Sequence, residues 1–333
     1  MKIIDHIKGI SSSIFRYVLN KVYSPIVVLL YHRVIDTDDD IQQLCVSKDN
    51  FYLQIEYLKK KFNVLHPDEF CEALYLNKKL KKGSILITFD DGYYDNYENA
   101  FPILRSLNAS ALFFVATSNI DKPSIFFWDE LDLLFKSVSN KLKFIHFDFD
   151  GIKYRYDISS PKDKIESYYK IHNWLKYSKE RARNVFLSKL HIACETDENI
   201  FQRLKKEFRI ITSEEIKIMS SSNFAVIGAH THTHSPLSVY NYNEQYTDIS
   251  VSKSILEKIT GRKQEYFSYP FGSYKDYGFD SIEICRRLGF KLAFANYYDQ
   301  ARCWTDKFQI PRMIVRNWEF DSFKKHINKY FTR

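Results

Sequence analysis

The chain has 333 residues, 45% hydrophobic and 17% aromatic, with only 9 glycines and 8 prolines; this excludes a disordered or low-complexity protein and allows one barrel-sized domain or two smaller ones. The formal net charge of +8 could serve nucleic acid, anionic lipid headgroups or an acidic substrate, but no nucleic-acid motif accompanies it, so nucleic acid is not an expected partner. Five dispersed cysteines (Cys45, Cys71, Cys194, Cys285 and Cys303) fit a reducing compartment and argue against a disulfide framework or a zinc-thiolate site.

Residues 1–22 carry Ile3, Ile7, Ile10, Ile14 and Val18 every three or four positions, with Lys2, Lys8, Arg16 and Lys21 between them. This predicts an amphipathic helix, either packed on the body of the protein or lying on the inner membrane face. No stretch is long enough to span a membrane, and no signal peptide is read at the start, so a cytoplasmic location is expected. Residues 26–31 form an apolar strand ending at His32, followed by an acidic loop over 36–40. Phe51, Ile55, Leu58 and Phe62 predict a helix over 49–62, then a short strand over 62–65. A central strand over 84–89, a helix over 95–107 and a buried strand over 111–116 complete an alternation typical of a parallel sheet or barrel.

Residues 121–222 break that rhythm. A helix opens at Phe127-Trp128-Asp129, a hairpin over 142–149 and 152–158 turns at Asp150-Gly151, and three lysine-rich helices run to about 208. This stretch is read as a helical and hairpin lid inserted in a single domain spanning 23–333, with its aromatic residues forming a small core of their own. The alternation then resumes: a strand over 224–228, a helix over 243–260 closed by Gly261, a strand over 267–271 and a helix ending at Gly289. Strands over 292–296 and 310–315 and a closing helix over 319–331 follow.

Two strand ends carry the chemistry. The run Ile85-Leu86-Ile87-Thr88-Phe89 stops at Asp90-Asp91-Gly92, and Gly92 permits a sharp turn. Consecutive residues point different ways, so the two carboxylates should play different parts. Loops leaving the C-terminal ends of parallel strands are where α/β folds place their catalysis. The strand over 224–228 leads into His230-Thr231-His232-Thr233-His234. Two imidazoles and one carboxylate make a common catalytic zinc set that leaves a position open for water. His230 and His234 would meet if the segment turned into a helix, His230 and His232 if it stayed extended; spacing alone does not separate these.

Thr88-Phe89-Asp90-Asp91-Gly92 together with His230-Thr231-x-x-His234 resembles the NodB-homology polysaccharide deacetylase family, carbohydrate esterase family four. The resemblance covers roughly 26–120 and 222–318. It implies an α/β fold, an incomplete (β/α)7 barrel, and one divalent metal, Zn²⁺ first, with Co²⁺ or Ni²⁺ as alternatives. By the same resemblance Asp90 is the general base, Asp91, His230 and His234 are the metal ligands, and Thr231 holds the histidine motif. Tyr93 offers its backbone N–H to an oxyanion, and Tyr269, Pro270 and Phe271 form a substrate-binding motif.

The chain departs from the family pattern twice. Ser268 stands where an arginine usually orients the catalytic aspartate, and Arg312 is expected to supply that guanidinium from a late strand. The usual late Leu-x-His is absent, the only late histidine being His326. Tyr31-His32-Arg33-Val34 resembles the start of a subgroup that deacetylates poly-N-acetylglucosamine through circularly rearranged motifs, so His32 is expected to be the general acid. The implied reaction hydrolyses the acetamide of an N-acetylated sugar to amine and acetate. Location and charge favour a lipid- or nucleotide-linked, phosphate-bearing glycan precursor, with residues 1–22 giving peripheral membrane contact. An O-acetyl esterase, another C–N hydrolase, or an inactive carbohydrate-binding protein are the alternative readings.

Overall fold

The computed structural model describes residues 25–78, 80–139 and 141–332, and the helix expected over 1–22 lies outside them. The chain starts with β1 (Ile26–Tyr31), β2 (Arg33–Val34), β3 (Cys45–Val46), α1 (Lys48–Lys61), β4 (Asn63–Val64) and α2 (Pro67–Tyr75). Next come β5 (Ser84–Phe89), a π-helical turn leading into α3 (Phe101–Ser106), and β6 (Ala111–Val115). A second block holds α4 (Phe127–Ser137), β7 (Phe144–Phe149), β8 (Ile152–Asp157), α5 (Pro161–Lys176), α6 (Glu180–Ala193), α7 (Glu198–Lys205) and α8 (Ser213–Ser220). The last stretch runs through β9 (Ala225–Ala229), α9 (Tyr242–Thr260), β10 (Tyr266–Ser268), α10 (Phe279–Arg287), β11 (Leu292–Phe294), β12 (Met313–Ile314) and α11 (Phe320–Thr332).

Every residue of β1, β5 and β6 is buried. Strands covered by helices on one face and by the barrel interior on the other have no solvated side, so they read as continuous apolar runs. The strands pair in the order β11-β10-β9-β6-β5-β1-β12, with β4 added on β5, and all of these pairings are parallel. Ile310 bridges Phe294 of β11, while Met313 and Ile314 pair with Leu29 and Leu30 of β1. One short segment therefore touches both ends of the sheet, and the ring closes only through contacts one or two residues long: an incomplete barrel. The late strands are shorter than the apolar runs suggested. Pro270 and Pro311 have no N–H to give a ladder, and β10 stops at Ser268 while β12 begins at Met313.

Local chemistry sets the helix ends. Ser47 caps α1 by accepting from the Asn50 N–H. Reciprocal capping boxes, Thr212 with Glu215 and Asn241 with Glu244, open α8 and α9. Gly261 closes α9 in the left-handed region, φ 67°. The short helices α2 and α8 were not expected from periodicity.

Two apolar clusters matter for the site. One packs the outer face of the strands against the surrounding helices. The other unites Phe126, Trp128, Leu131, Tyr168, Phe186 and Leu190 of the second block and reaches the barrel through Tyr93 and Ala116. The β7–β8 hairpin belongs to that block and turns at Asp150 (φ 50°) and Gly151 (φ 73°). Among the described residues no helix is long and apolar enough to cross a membrane.

Candidate active site and metal centre

Register brings the first components together. In the β1–β5 pair Leu30 lies opposite Thr88 and Tyr31 opposite Phe89, so His32 and Asp90 leave the sheet at the same level. The Asp90 N–H donates to Tyr31 O at 3.1 Å, and Asn96 Nδ2 donates to His32 O at 2.8 Å. After Asp90 the chain reverses through two left-handed residues, Asp91 at φ 77° and Gly92 at φ 82°. A Cβ on Gly92 would sit 2.9 Å from Val115 Cγ1, so both the dihedral and the space require glycine. A non-glycine held at positive φ is costly, and at Asp91 it turns the carboxylate toward the histidine loop.

That loop leaves β9, separated from β5 only by β6. The β6 exit stitches the two together: Ala116 N–H donates to Asp91 O at 3.4 Å, Thr117 N–H to Thr231 O at 3.2 Å, and Ser118 N–H to His232 O at 2.8 Å. The segment forms no helix. Thr231 (φ 62°) and His234 (φ 53°) are left-handed, and Thr231 Oγ1 accepts from the His234 N–H at 3.0 Å. The loop thereby folds back and pairs His230 with His234. His232 turns away and hydrogen-bonds Thr117 Oγ1 through Nδ1 at 2.9 Å. Behind the loop, Asp248 of α9 accepts from Thr233 N at 2.9 Å and Thr233 Oγ1 at 3.2 Å. Burial pushes its carboxyl up to about 6.

Asp91, His230 and His234 are buried and converge on one point. His234 Nε2 lies 2.9 Å from Asp91 Oδ1 and 3.1 Å from His230 Nε2, and His230 Nε2 lies 3.5 Å from Asp91 Oδ1. Donor atoms about 2.1 Å from a shared tetrahedral cation stand roughly 3.4 Å apart, so the set fits one ion. The donor chemistry agrees. His230 Nδ1 faces Ser268 O at 2.8 Å, which places the proton on Nδ1 and leaves a lone pair on Nε2. His234 Nδ1 is buried with no hydrogen-bond partner, so neither tautomer satisfies that ring by hydrogen bonding alone. Burial also opposes the charged imidazolium of His234, while both imidazoles hold Asp91 ionised against its own burial. A neutral His234 beside an ionised Asp91 is the pair of protonation states that a divalent cation takes.

Asp90 is 4% exposed and is not part of that donor set. Arg312, 1% exposed, grips it in a fork: Nη1 to Oδ1 and Nη2 to Oδ2, both at 2.7 Å. The other guanidinium protons go to Ala295 O (3.0 Å), Thr88 Oγ1 (3.3 Å) and Ser268 Oγ (2.8 Å), so all five donors are used. Arg312 arrives here because it precedes the β12 pair that closes the ring. Ser268 Oγ also donates to Asp90 Oδ2 at 3.2 Å. Burial raises the Asp90 pKa, but the Arg312 charge outweighs it and holds the acid below its ordinary value.

His32 is half-buried, and its ring senses both aspartates. Burial, helped by Arg312 and Arg316, outweighs them and lowers its pKa. The Tyr93 backbone N–H makes no hydrogen bond among the described residues. Its buried side chain belongs to a network that the sequence did not reveal: Trp128 Nε1–H donates to Tyr93 Oη at 2.8 Å, and Tyr93 Oη–H donates to Asp129 Oδ2 at 2.8 Å. Phe126, Trp128 and Phe271 wall in His234, with ring centroids 5.2, 4.5 and 5.2 Å from it. The aromatic-acidic run Phe126-Phe127-Trp128-Asp129 was the only available signal, and it reads equally well as an amphipathic helix start.

The expected motif Tyr269-Pro270-Phe271 splits. Phe271 is half-buried over His234, but Tyr269 is fully buried, stacked on Tyr277 at 4.0 Å with its hydroxyl on Phe308 O. Tyr269 therefore packs between the sheet and the surrounding helices, on the face opposite to Ser268, which points to Asp90 and Arg312. Pro270 is buried as well.

The family model for polysaccharide deacetylase matches residues 77–141 and 162–293, more than half of the chain. The protein YxkH of Bacillus subtilis (strain 168) is 33% identical over 94 residues, 28% of this chain and 32% of its own length, so the chain matches about a third of that relative. The poly-beta-1,6-N-acetyl-D-glucosamine N-deacetylase of Staphylococcus aureus (strain MSSA476) is 22% identical over 314 residues, 89% of this chain and 81% of that protein. Among solved structures, the deacetylase PplD of Streptococcus pyogenes aligns with a TM-score of 0.60 at 18% identity, over 92% of this chain and 99% of its own. IcaB from Ammonifex degensii aligns with a TM-score of 0.58 at 20% identity, over 93% and 98%. At these identities the structural likeness is one of fold.

Proposed function

Because the chain belongs to the polysaccharide deacetylase family, we propose that it is a metal-dependent N-deacetylase that hydrolyses the acetamide of an N-acetylated sugar to a free amine and acetate. The observation that carries this reading is the buried Asp91–His230–His234 cluster with a second, arginine-held carboxylate, Asp90, beside it. Pure carbohydrate binding needs no such base. The three ligands would hold Zn²⁺, or Co²⁺ or Ni²⁺ in its place, and the bound ion would polarise the acetamide carbonyl and acidify a water.

The other roles fall to the chain's own groups. Asp90, kept ionised by Arg312, takes the proton of the attacking water. The free Tyr93 N–H donates to the carbonyl oxygen as negative charge grows on it. His32, whose ring senses both aspartates, gives a proton to the departing amine. Phe271, Phe126 and Trp128 keep bulk water from the ligands. The reading extends to the substrate: a phosphate-bearing, lipid- or nucleotide-linked precursor suits the charge of +8, and contact through residues 1–22 would keep the enzyme at the inner membrane face.

Acetate release from N-acetylglucosamine oligomers by the full-length, Zn²⁺-loaded protein tests the proposal. Activity should vanish with chelator and return with metal, and Asp91→Asn and His234→Ala should lose both activity and bound metal by elemental analysis. Wild-type metal content in both variants would remove the metal centre. Release from matched O-acetyl sugars but never from N-acetyl sugars would replace the deacetylase reading with an esterase.

A further inference from the structure

A cavity of about 380 Å³ lies on the far side of the histidine loop, between α6, the segment that follows β6, and the side chains of His232 and Thr233. Phe126 and Trp128 form its wall toward the metal ligands, since both line the cavity and both pack on His234. Arg183 of α6 also lines it. That residue is only 5% exposed, yet it has no ion-pair partner among the described residues. Nη1 is buried without any hydrogen bond, Nη2 reaches only Ser235 Oγ at 3.4 Å, and the guanidinium rests 4.7 Å from the centre of the Phe127 ring. Every other buried arginine of the active-site region is matched: Arg312 by Asp90, and Arg33 by Asp95 at 2.9 Å.

A guanidinium taken out of water without an anion is strongly disfavoured, so a partner belongs in the space it lines. Two carboxylates line the same cavity, Glu130 and Glu180, but neither pairs with Arg183. Glu180 is exposed, and burial drives Glu130 toward its neutral acid. Asp248, the acid behind the loop, is already engaged by Thr233. Lys122, Ser118 and Asn119 add a second cation and further donors to the lining.

We infer that this cavity binds an anionic oxygen group, a phosphate or carboxylate, with Arg183 as its principal partner. That the anion belongs to the deacetylated sugar rests on the N-deacetylase reading; that the cavity takes an anion does not. The site lies one aromatic wall away from the metal ligands, so the charged group would sit on a part of the substrate remote from the acetamide. Binding energy from such a group lowers KM and holds the acetamide in place.

The test is thermal denaturation of the full-length, metal-loaded protein at fixed ionic strength, titrated with inorganic phosphate and, separately, with malonate. A saturable rise in Tm is expected for wild type, a weaker one for Arg183→Lys, and none for Arg183→Met. Arg183→Met without ligand should be at least as stable as wild type, since it removes an unpaired buried charge. Which anion acts at lower concentration identifies the group. In the kinetic arm, N-acetylglucosamine phosphate should show a KM about tenfold or more below that of N-acetylglucosamine, and Arg183→Met should abolish the difference.

Equal responses of wild type and Arg183→Met, or no response in wild type, would overturn the inference. So would a large Tm loss in Arg183→Met without any anion effect in wild type, which would make Arg183 a strut on Phe127. If no N-acetyl sugar is ever deacetylated while the anion response persists, the cavity assignment stands and the enzymatic reading falls.

Discussion

Replacing Arg312 with methionine removes five hydrogen-bond donors and the main charge that compensates Asp90. What remains for the buried carboxylate is Ser268 Oγ at 3.2 Å. Leaving one partner of a buried ion pair behind costs about 3–5 kcal/mol, measurable as a fall in the urea needed for unfolding. Removing both partners leaves no buried ion, so Arg312→Met with Asp90→Asn should recover more than half of that loss.

Activity carries a second signature. Arg312 is the largest influence holding the Asp90 pKa down against burial, so its loss moves that pKa upward, with only the weaker pull of His230 and His32 left to oppose burial. The acidic limb of kcat/KM should therefore move to higher pH. At pH 6 the rate should fall roughly 10² to 10⁴-fold, with partial recovery at pH 8–9. Bound metal should be unchanged, because Arg312 touches none of the three ligands. An unmoved acidic limb together with a double variant no more stable than Arg312→Met would refute the argument.

Other outcomes follow from the same geometry. His32→Ala should lower kcat by roughly 10² to 10⁴ while keeping full metal content, and a variant retaining most of its rate would make His32 a structural residue. Gly92→Ala forces a Cβ to 2.9 Å from Val115 Cγ1 at φ 82°; it should lower Tm and strip metal by displacing Asp91, and an unchanged metal content would contradict this. Asp248 has its folded pKa raised to about 6 by burial, above the unfolded value of about 3.9. The stability it contributes is present below about pH 4 and lost as pH rises through about 6, a swing of roughly 3 kcal/mol. Urea unfolding of wild type should show this decline and Asp248→Asn should lack it; parallel pH slopes for the two proteins would remove the assignment.

What the chain determines locally was readable along it. The strand Ser84–Phe89, the α9 helix with its Gly261 cap and the β7–β8 hairpin at Asp150-Gly151 depend on apolar runs, caps and turn residues that act over a few positions. That Asp91, His230 and His234 would lie close together was readable for a related reason: two motifs, each complete within five residues, sit at strand ends that any parallel barrel brings to one rim. The way His230 and His234 meet was not readable, since a helix would have paired them just as well. The structure uses two left-handed residues instead, stabilised by contacts from β6 and α9.

Groups joined across long stretches of chain were decided only by packing. Arg312 reaches Asp90 across 222 positions because the segment ahead of β12 closes the ring, and no local pattern records which strand will lie beside which. The same holds for the aromatic wall that the second block lays over His234, and for Tyr269, whose place in a motif pointed to substrate while the side opposite Ser268 faces the helix layer. Sequence specifies short-range conformation through forces that act between neighbours. The pairing of distant side chains, and so the charge that each buried acid or arginine meets, exists only once the sheet has curled and its ends have met.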